Sequence, residues 1–346
     1  MKAGGLKMKK LQKEFIEFNK SIKCSETDAL IDKRDMLKKD IEDKFPDNCK
    51  KYGIEINKSD LEFINQGSYK IGTAIDSDNV DIDYAVIFPL DINEFNDPRN
   101  VKKAVRDSLF IENKRIPKIK EPCVTVAYHE NDKEYMHIDF PVYASNNGLL
   151  YLGRGKEHSE SYEWENADPK GLSEYFLNEF KDREQLKRIV RYIKKWKQIK
   201  YQNSNNSHEV PPSVGLTILA CNYYFEYTYE GDDDLSSFYY TMRNIKNAFT
   251  IKTDEYGEIT SADIICDLPV VPYSDVFYKM RQSKDHLINF YKKINKAVNN
   301  LKEAINLDEE HEAAKYVREV LGDQFTVPEK KTSSTETSSK SEYNYG

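Results

Sequence analysis

The pattern of apolar and polar positions changes partway along the chain. Between about residues 60 and 145 it runs in short segments dense in β-branched and aromatic residues. Examples are Asp81-Ile82-Asp83-Tyr84-Ala85-Val86-Ile87-Phe88 and Tyr135-Met136-His137-Ile138-Asp139-Phe140-Pro141-Val142, and such segments read as strands. From Leu172 onward the apolar spacing becomes helical, with segments at 172–180, 183–200, 213–228, 234–249 and a long stretch 274–321. Leu186, Ile189, Val190, Ile193 and Trp196 form the clearest core-facing stripe. Two more helices are expected ahead of the strands, Leu11 to Lys23 and Thr27 to Asp43, the second opened by a capping signal at Ser25 to Asp28. A basic helix interrupts the strand region near Val101 to Leu109. The pattern predicts an α+β protein with a mixed sheet flanked by helices, followed by a helical lobe.

Candidate chemistry concentrates in the strand region. In a strand, residues i and i+2 point to one face, so Asp81 and Asp83 present their carboxylates together. Adjacent carboxylates repel, and one is pushed toward protonation unless a cation lies between them. A hard divalent ion such as Mg²⁺ suits this arrangement because it takes oxygen ligands and substrate phosphates. Asp139, on a second strand-like run, completes a triad if the two strands lie side by side. Two ions roughly 3.5–4 Å apart would then clamp an attacking hydroxyl and a leaving pyrophosphate. The acidic run Asp76, Asp78, Asp81, Asp83 fails the calcium-loop template, since Asp81 replaces the required glycine and Ile87 stands where the bidentate Glu belongs. Asp76 and Asp78 fit a turn before the strand. Upstream, Gly67-Ser68 offers a phosphate turn in which glycine permits close backbone approach and the serine hydroxyl adds a bond.

A second cluster is basic. From Lys181 to Lys200 there are nine Lys or Arg residues against two acids, within a chain of net charge −7. Most of these are solvated positions on a helix face. Lys187, Arg191 and Lys194 nevertheless follow at i, i+4 and i+7, which makes a basic edge beside the apolar stripe.

Order and spacing make a resemblance specific. The turn Gly67-Ser68-Tyr69-Lys70-Ile71-Gly72-Thr73, then Asp81-Ile82-Asp83, then Ile138-Asp139-Phe140-Pro141, resembles the polymerase-β-type nucleotidyltransferases. Three further segments resemble the bacterial cyclic GMP-AMP synthase-like branch of that superfamily, the CD-NTases. They are Trp164-Glu165-Asn166-Ala167-Asp168-Pro169-Lys170-Gly171-Leu172, the helix end Tyr192-Ile193-Lys194-Lys195-Trp196-Lys197, and Pro211-Pro212-Ser213. The resemblance covers about residues 10 to 328. It implies a catalytic core over 1–170 that includes the N-terminal helices, a helical lobe over 171–328 that closes the nucleotide cleft, and a disordered tail over 329–346. It implies metal ligation and catalysis by Asp81, Asp83 and Asp139, with Asp139 activating the acceptor hydroxyl. Nucleotide binding falls to Gly67, Ser68, Lys194 and Ser213, with Lys187 and Arg191 on the same basic edge. Lys195 is the alternative to Lys194 under a one-residue shift of alignment. The Gly-Ser turn is expected to open a helix facing the triphosphate, while Gly72 and Thr73 shape its exit.

The implied reaction is synthesis of a cyclic di- or trinucleotide second messenger from NTPs, ATP foremost among them, with two Mg²⁺ or Mn²⁺ ions, in bacterial anti-phage signalling (CBASS). Its product would act on a downstream effector. A linear oligonucleotide synthetase of the oligoadenylate type shares every residue named. A non-catalytic nucleotide-binding or antitoxin-like module is the alternative of a different class, and three clustered carboxylates argue against it.

Composition narrows the partners. With 59 acids against 52 bases, the balance disfavours binding to long nucleic acid and suits mononucleotides in a locally basic cleft. No stretch approaches the ~20 apolar residues that span a membrane, and the N-terminus lacks a signal-peptide core, so a cytoplasmic location is expected. Five scattered cysteines make neither a disulfide framework nor a C-x-x-C zinc pair. Past Pro328 the chain is poor in apolar residues and ends at Gly346, a terminus that a ubiquitin-activating-like ligase could conjugate.

Overall fold

The computed structural model describes residues 9–24, 28–76, 80–131, 133–228 and 231–330. Most of the expected Ser25-to-Asp28 cap, Asp78 in the expected turn, and the tail from 331 with Gly346 lie outside the described residues.

Helices α1 (Gln12–Ile22) and α2 (Asp28–Lys50) precede β1 (Glu62–Gln66), the one-turn helix α3 (Gly67–Lys70) and β2 (Val80–Pro89). Next come α4 (Pro98–Leu109), β3 (Lys118–Ile119), β4 (Cys123–Glu130), the long β5 (Lys133–Asn146), β6 (Leu149–Arg154) and β7 (Glu163–Ala167). Helices α5 (Pro169–Glu179), α6 (Glu184–Lys200), α7 (Ser213–Tyr223) and α8 (Asp234–Asn247) follow. The hairpin β8 (Thr250–Thr253) and β9 (Ile259–Asp263) then leads to α9 (Lys284–Asn306) and α10 (Glu310–Leu321).

The strands from β1 to β7 form one mixed sheet. Its order is β1-β2-β5-β4-β3, with β6 on the far half of β5 and β7 beyond β6. Only β2 and β5 run parallel; the other pairs are antiparallel. The two-residue period decides which face each strand buries. Ile82, Tyr84, Val86 and Phe88 of β2 and Ile138, Phe140 and Val142 of β5 pack under α2 and α4, against Leu37, Ile41, Phe45, Val101 and Val105. The rings of Phe45 and Phe88 meet at 5.3 Å, and each fully buried ring contributes about 1.5–3 kcal/mol. That leaves Asp81, Asp83, His137 and Asp139 on the opposite face. Helix α4 starts three residues before the apolar pattern suggested, because Asp97 accepts the Arg99 N–H at 2.9 Å and Pro98 takes the first turn.

A second core lies among the C-terminal helices, and α1 belongs to it. Leu11, Phe15, Phe18 and Ile22 join Leu186, Ile189, Ile193 and Trp196 of α6 and the apolar faces of α9 and α10. Phe15 lies 5.3 Å from Tyr192 and 5.0 Å from Phe325. Helix α2 thus packs with the sheet and α1 with the helical core. The sheet face is already covered by α2 and α4, so the α1 stripe finds its apolar wall in α6. Arg188 clasps the fully buried Asp234 through Nε at 2.7 Å and a terminal nitrogen at 2.8 Å, which pins α6 to α8.

Other departures have local causes. The stretch 274–321 splits into α9 and α10. The β8–β9 hairpin was not expected; its strands are short, with β8 largely exposed and β9 mostly half-buried, so no alternation of apolar residues announces them. Among the described residues, no helix is long and apolar enough to cross a membrane.

Candidate active site

The parallel register of β2 and β5 sets Asp83 beside Asp139 and Asp81 beside His137. On the outer sides, β1 places Gln66 opposite Asp83 and β4 places Thr125 opposite Asp139. Gln66, Asp83, Asp139 and Thr125 thus form one polar row across four strands, with Asp81 and His137 in the row beside it. Ligand atoms of Asp81, His137 and Asp139 lie within 4.8 Å of one another. His137 sits with Nε2 3.0 Å from Asp81 Oδ1 and Nδ1 3.2 Å from Glu134 Oε1. Its pKa is raised, chiefly by the hydrogen bond to Asp81 and against the opposing effect of burial. Two positions before Asp139, it faces the same way, a relation the strand period would have exposed. Thr125 donates to Asp139 Oδ1 at 2.5 Å, and Lys120 Nζ lies 3.6 Å from the same oxygen.

Gly67 has a reason that sequence reasoning missed. Its φ is +68°, and a Cβ there would fall inside the van der Waals envelope of Asp83 Oδ2. The glycine leaves space for the catalytic-face carboxylate as well as bending the chain. The turn does open a helix, but α3 is a single turn of four residues. Ser68 lines the cleft beside it.

The facing wall comes from α5, α6 and α7, across a cleft of about 670 Å³. Asp168 caps α5 by accepting the Gly171 N–H at 2.7 Å, and a Cβ on Gly171 would collide with that carboxylate. The D-P-K-G-L segment is thus a helix start whose Asp168, Pro169 and Leu172 line the cleft. Helix α6 turns Lys194 and Lys197 toward the carboxylates, and Ser213 at the first position of α7 lies with them. Lys194 is buried and donates to the Thr73 carbonyl at 3.1 Å and its hydroxyl at 3.0 Å. Lys197 donates to Ser213 Oγ at 2.6 Å.

Of the expected basic edge, the cleft takes in Lys194 and leaves out Lys187 and Arg191. Lys187 pairs with Glu184 at 2.5 Å. Arg191 is buried and donates to Asn19 Oδ1 at 2.8 Å and to the Gly72 carbonyl at 2.6 Å, so it ties α1 and the exit of α3 to α6. The reason is distance along the helix: Lys187 shares a face with Lys194 but lies two turns, about 10 Å, away, whereas Lys197 is less than one turn from Lys194. Lys195 is also absent from the cleft lining.

Electrostatics set the two walls against each other. Burial, then the charges of Asp81 and Asp139, push Asp83 up to about 7. Burial, then Lys197 and Arg191, bring Lys194 down to about 7, and burial brings Lys197 down to about 8. One wall lacks a cation and the other an anion. The clustered carboxylate oxygens fit a divalent metal, which would offset both the burial and the repulsion that hold Asp83 near neutrality.

The rim of the cleft joins sheet to helical lobe. Arg154 of β6 lines the cleft, donates to Glu165 at 3.0 Å and to Tyr278 at 3.2 Å, and is also bonded to Glu121. Glu121 takes Lys279 on its other oxygen at 3.0 Å. Beneath it Lys102 is fully buried, with Nζ donating to the carbonyls of Lys120, Glu121 and Gly155, each at 2.7 Å. The four buried cysteines are held protonated by burial; Cys49, Cys221 and Cys266 are each pushed up to about 12.

This combination of mixed sheet, paired carboxylates and facing lysines suits nucleotidyl transfer. Residues 61–143 match the family model of the DncV-like cyclic GMP-AMP synthase nucleotidyltransferase domain. That match spans the strand region from β1 into β5, which carries the carboxylate row. The chain is 29% identical over 199 residues to a cyclic GMP-AMP synthase of Escherichia albertii, an alignment covering 54% of this chain and 41% of that enzyme. The chain thus spans less than half the length of that curated relative. Its fold matches the DncV cyclic AMP-GMP synthase of Vibrio cholerae in complex with nonhydrolyzable GTP. The TM-score is 0.67 at 15% identity, over 92% of this chain and 97% of that one. It also matches the 3′-deoxy GTP-bound DncV of Escherichia coli with TM-score 0.62 at 16% identity, over 88% and 93%.

Proposed function

We propose that this protein joins NTPs into a cyclic di- or trinucleotide by nucleotidyl transfer. The reading is carried by one observation: a row of carboxylates at the sheet edge of a cleft faces a buried lysine, a half-buried lysine and a serine. A nucleoside triphosphate supplies the anion that the lysine wall lacks, and its accompanying divalent metal the cation that the carboxylate wall lacks. Lys194, Lys197 and Ser213 hold the donor triphosphate, and Ser68 bonds a phosphate oxygen from the sheet side. Asp81, Asp83 and Asp139 hold divalent metal, Mg²⁺ or Mn²⁺, which when bound supplies Lewis-acid stabilisation of phosphate charge. Asp139 accepts the proton of the acceptor hydroxyl, and His137 orients Asp81. Residues 1–170 and 171–328 act as the two sides of this cleft, apart from α1, which packs with the second.

The sequence affinity to cyclic GMP-AMP synthases supports cyclisation over linear extension, and with it a second-messenger role in anti-phage signalling. The test is incubation with all four NTPs and Mg²⁺ or Mn²⁺, phosphatase treatment and mass spectrometry. An Asp81→Asn/Asp83→Asn variant is the control. A phosphatase-resistant product absent from the control is expected, and its mass gives bases and ring size. Phosphatase-sensitive oligomers would replace the reading with a linear synthetase. For the terminal Gly346, a Gly346→Glu variant is expected to escape conjugation in cells that carry a ubiquitin-activating-like partner.

A further inference from the structure

We infer that Thr125 is a positioning residue for Asp139, fixing which carboxylate oxygen is left for metal and acceptor hydroxyl. This rests on the reading of Asp139 as a metal ligand. Thr125 lies directly opposite Asp139 in the β4–β5 ladder and is buried, 5% exposed. Its hydroxyl stands 2.5 Å from Asp139 Oδ1, a short bond of the kind a carboxylate acceptor makes. A hydroxyl has one proton, and an ionised carboxylate can only accept, so the direction is settled: Thr125 donates and Asp139 receives. The Cys123 sulfur lies 3.6 Å from the Thr125 oxygen. With the threonine proton already committed, the thiol is the donor in that contact. Cys123 also hydrogen-bonds Asp139 itself, so the thiol and the threonine hydroxyl gather at this carboxylate.

The geometry is one-sided. Thr125 and Lys120 both address Oδ1, the latter from 3.6 Å. Carboxylates rotate about a soft bond, and a short hydrogen bond together with a nearby ammonium charge on one oxygen restricts that freedom. Oδ2 is thereby held out of both contacts and kept for the reacting centre. A β-branched residue suits the post because its χ1 is restricted, and Lys102 holds the connection leading into its strand through the carbonyls of Lys120 and Glu121. Partners of this kind typically change metal affinity or activity by 10–100-fold when removed.

The experiment compares the full-length protein with Thr125→Val, which keeps shape and strand preference and deletes the donor, and Thr125→Ser, which keeps the donor. Mn²⁺ binding is read by calorimetry without nucleotide, beside kcat and KM. Thr125→Val is expected to weaken Mn²⁺ by about 10-fold or more and to lower kcat while KM moves little, and Thr125→Ser to restore affinity to within about threefold. Parental Mn²⁺ affinity in Thr125→Val overturns the inference. Asp139→Asn separates the two levels: if it too binds Mn²⁺ like the parent, the reading of Asp139 as a ligand fails; if it loses binding while Thr125→Val keeps it, only the role of Thr125 fails. Should the valine variant not fold, Thr125→Ala is compared with Thr125→Ser, and equal affinities overturn the inference.

Discussion

On the sheet side of the cleft three carboxylates crowd one face; on the helix side two lysines, Lys194 buried and Lys197 half-buried, stand about a turn apart. Each wall is strained by like charge and by loss of water, and each answers by drifting toward neutrality: Asp83 up to about 7, Lys194 down to about 7. The difference is in what holds them. The carboxylates are fixed by backbone register, which a strand cannot alter without flipping every side chain. The lysines are fixed by the rotation of α6 against its own core, with Lys194 resting on Thr73 and Lys197 on Ser213. An active site can therefore be rigid on one side by ladder and on the other by packing.

Breaking the ladder side should cost most. Asp83→Asn is expected to lower product formation by about 10³-fold or more, measured as radiolabelled product per minute, since it removes charge from the centre of the row. Turnover within tenfold of the parent would mean that the row is not the reacting centre. Gly67→Ala should cost less, about 10²-fold. It forces a methyl against Asp83 and a side chain into positive φ, with about 1–2 kcal/mol of lost stability read by denaturant unfolding.

On the packing side, Lys194→Met is expected to weaken NTP binding in EDTA by about tenfold and yet to leave the empty fold as stable or more so. The sign follows from proton counts. An unfolded lysine holds its proton up to 10.5 and the folded Lys194 releases it near 7, so stability at this residue rises with pH between those values. A triphosphate draws the proton back. The parent's metal-free affinity for NTP should accordingly fall as pH climbs from about 6.5 to 8.5, with proton uptake visible by calorimetry in buffers of different ionisation enthalpy. A flat profile would remove Lys194 from the phosphate site. The smallest effect is reserved for Lys187→Ala: because its amine pairs with Glu184 outside the cleft, stability should stay within about 0.5 kcal/mol and KM within twofold.

The same contrast explains what could be read in advance. Asp81, Asp83 and Asp139 were legible because strand alternation is a property of a few consecutive residues. His137 was equally legible by that rule. Which of the many α6 cations face the cleft was not, since neighbouring helix positions differ by a rotation that only α1, α7 and α9 decide. The allegiance of α1 was hidden for a related reason: Phe15, Phe18 and Ile22 announce an apolar face without saying which core receives it. Thr125 and Lys120 gave no signal, because a cross-strand partner is chosen by register between distant segments.

The rim carboxylate Glu121 is shared between the halves of the molecule, one oxygen taken by Arg154 of the sheet and the other by Lys279 of the helical lobe. Both partners of the Glu121–Lys279 pair are more than a third exposed, and such pairs hold with about 0–1 kcal/mol. Parting the lobes at this point thus asks for little more than thermal energy, and the Debye length of about 8 Å at physiological ionic strength is enough to mute the attraction. The rim behaves as a loose clasp whose tension is set by the surrounding salt.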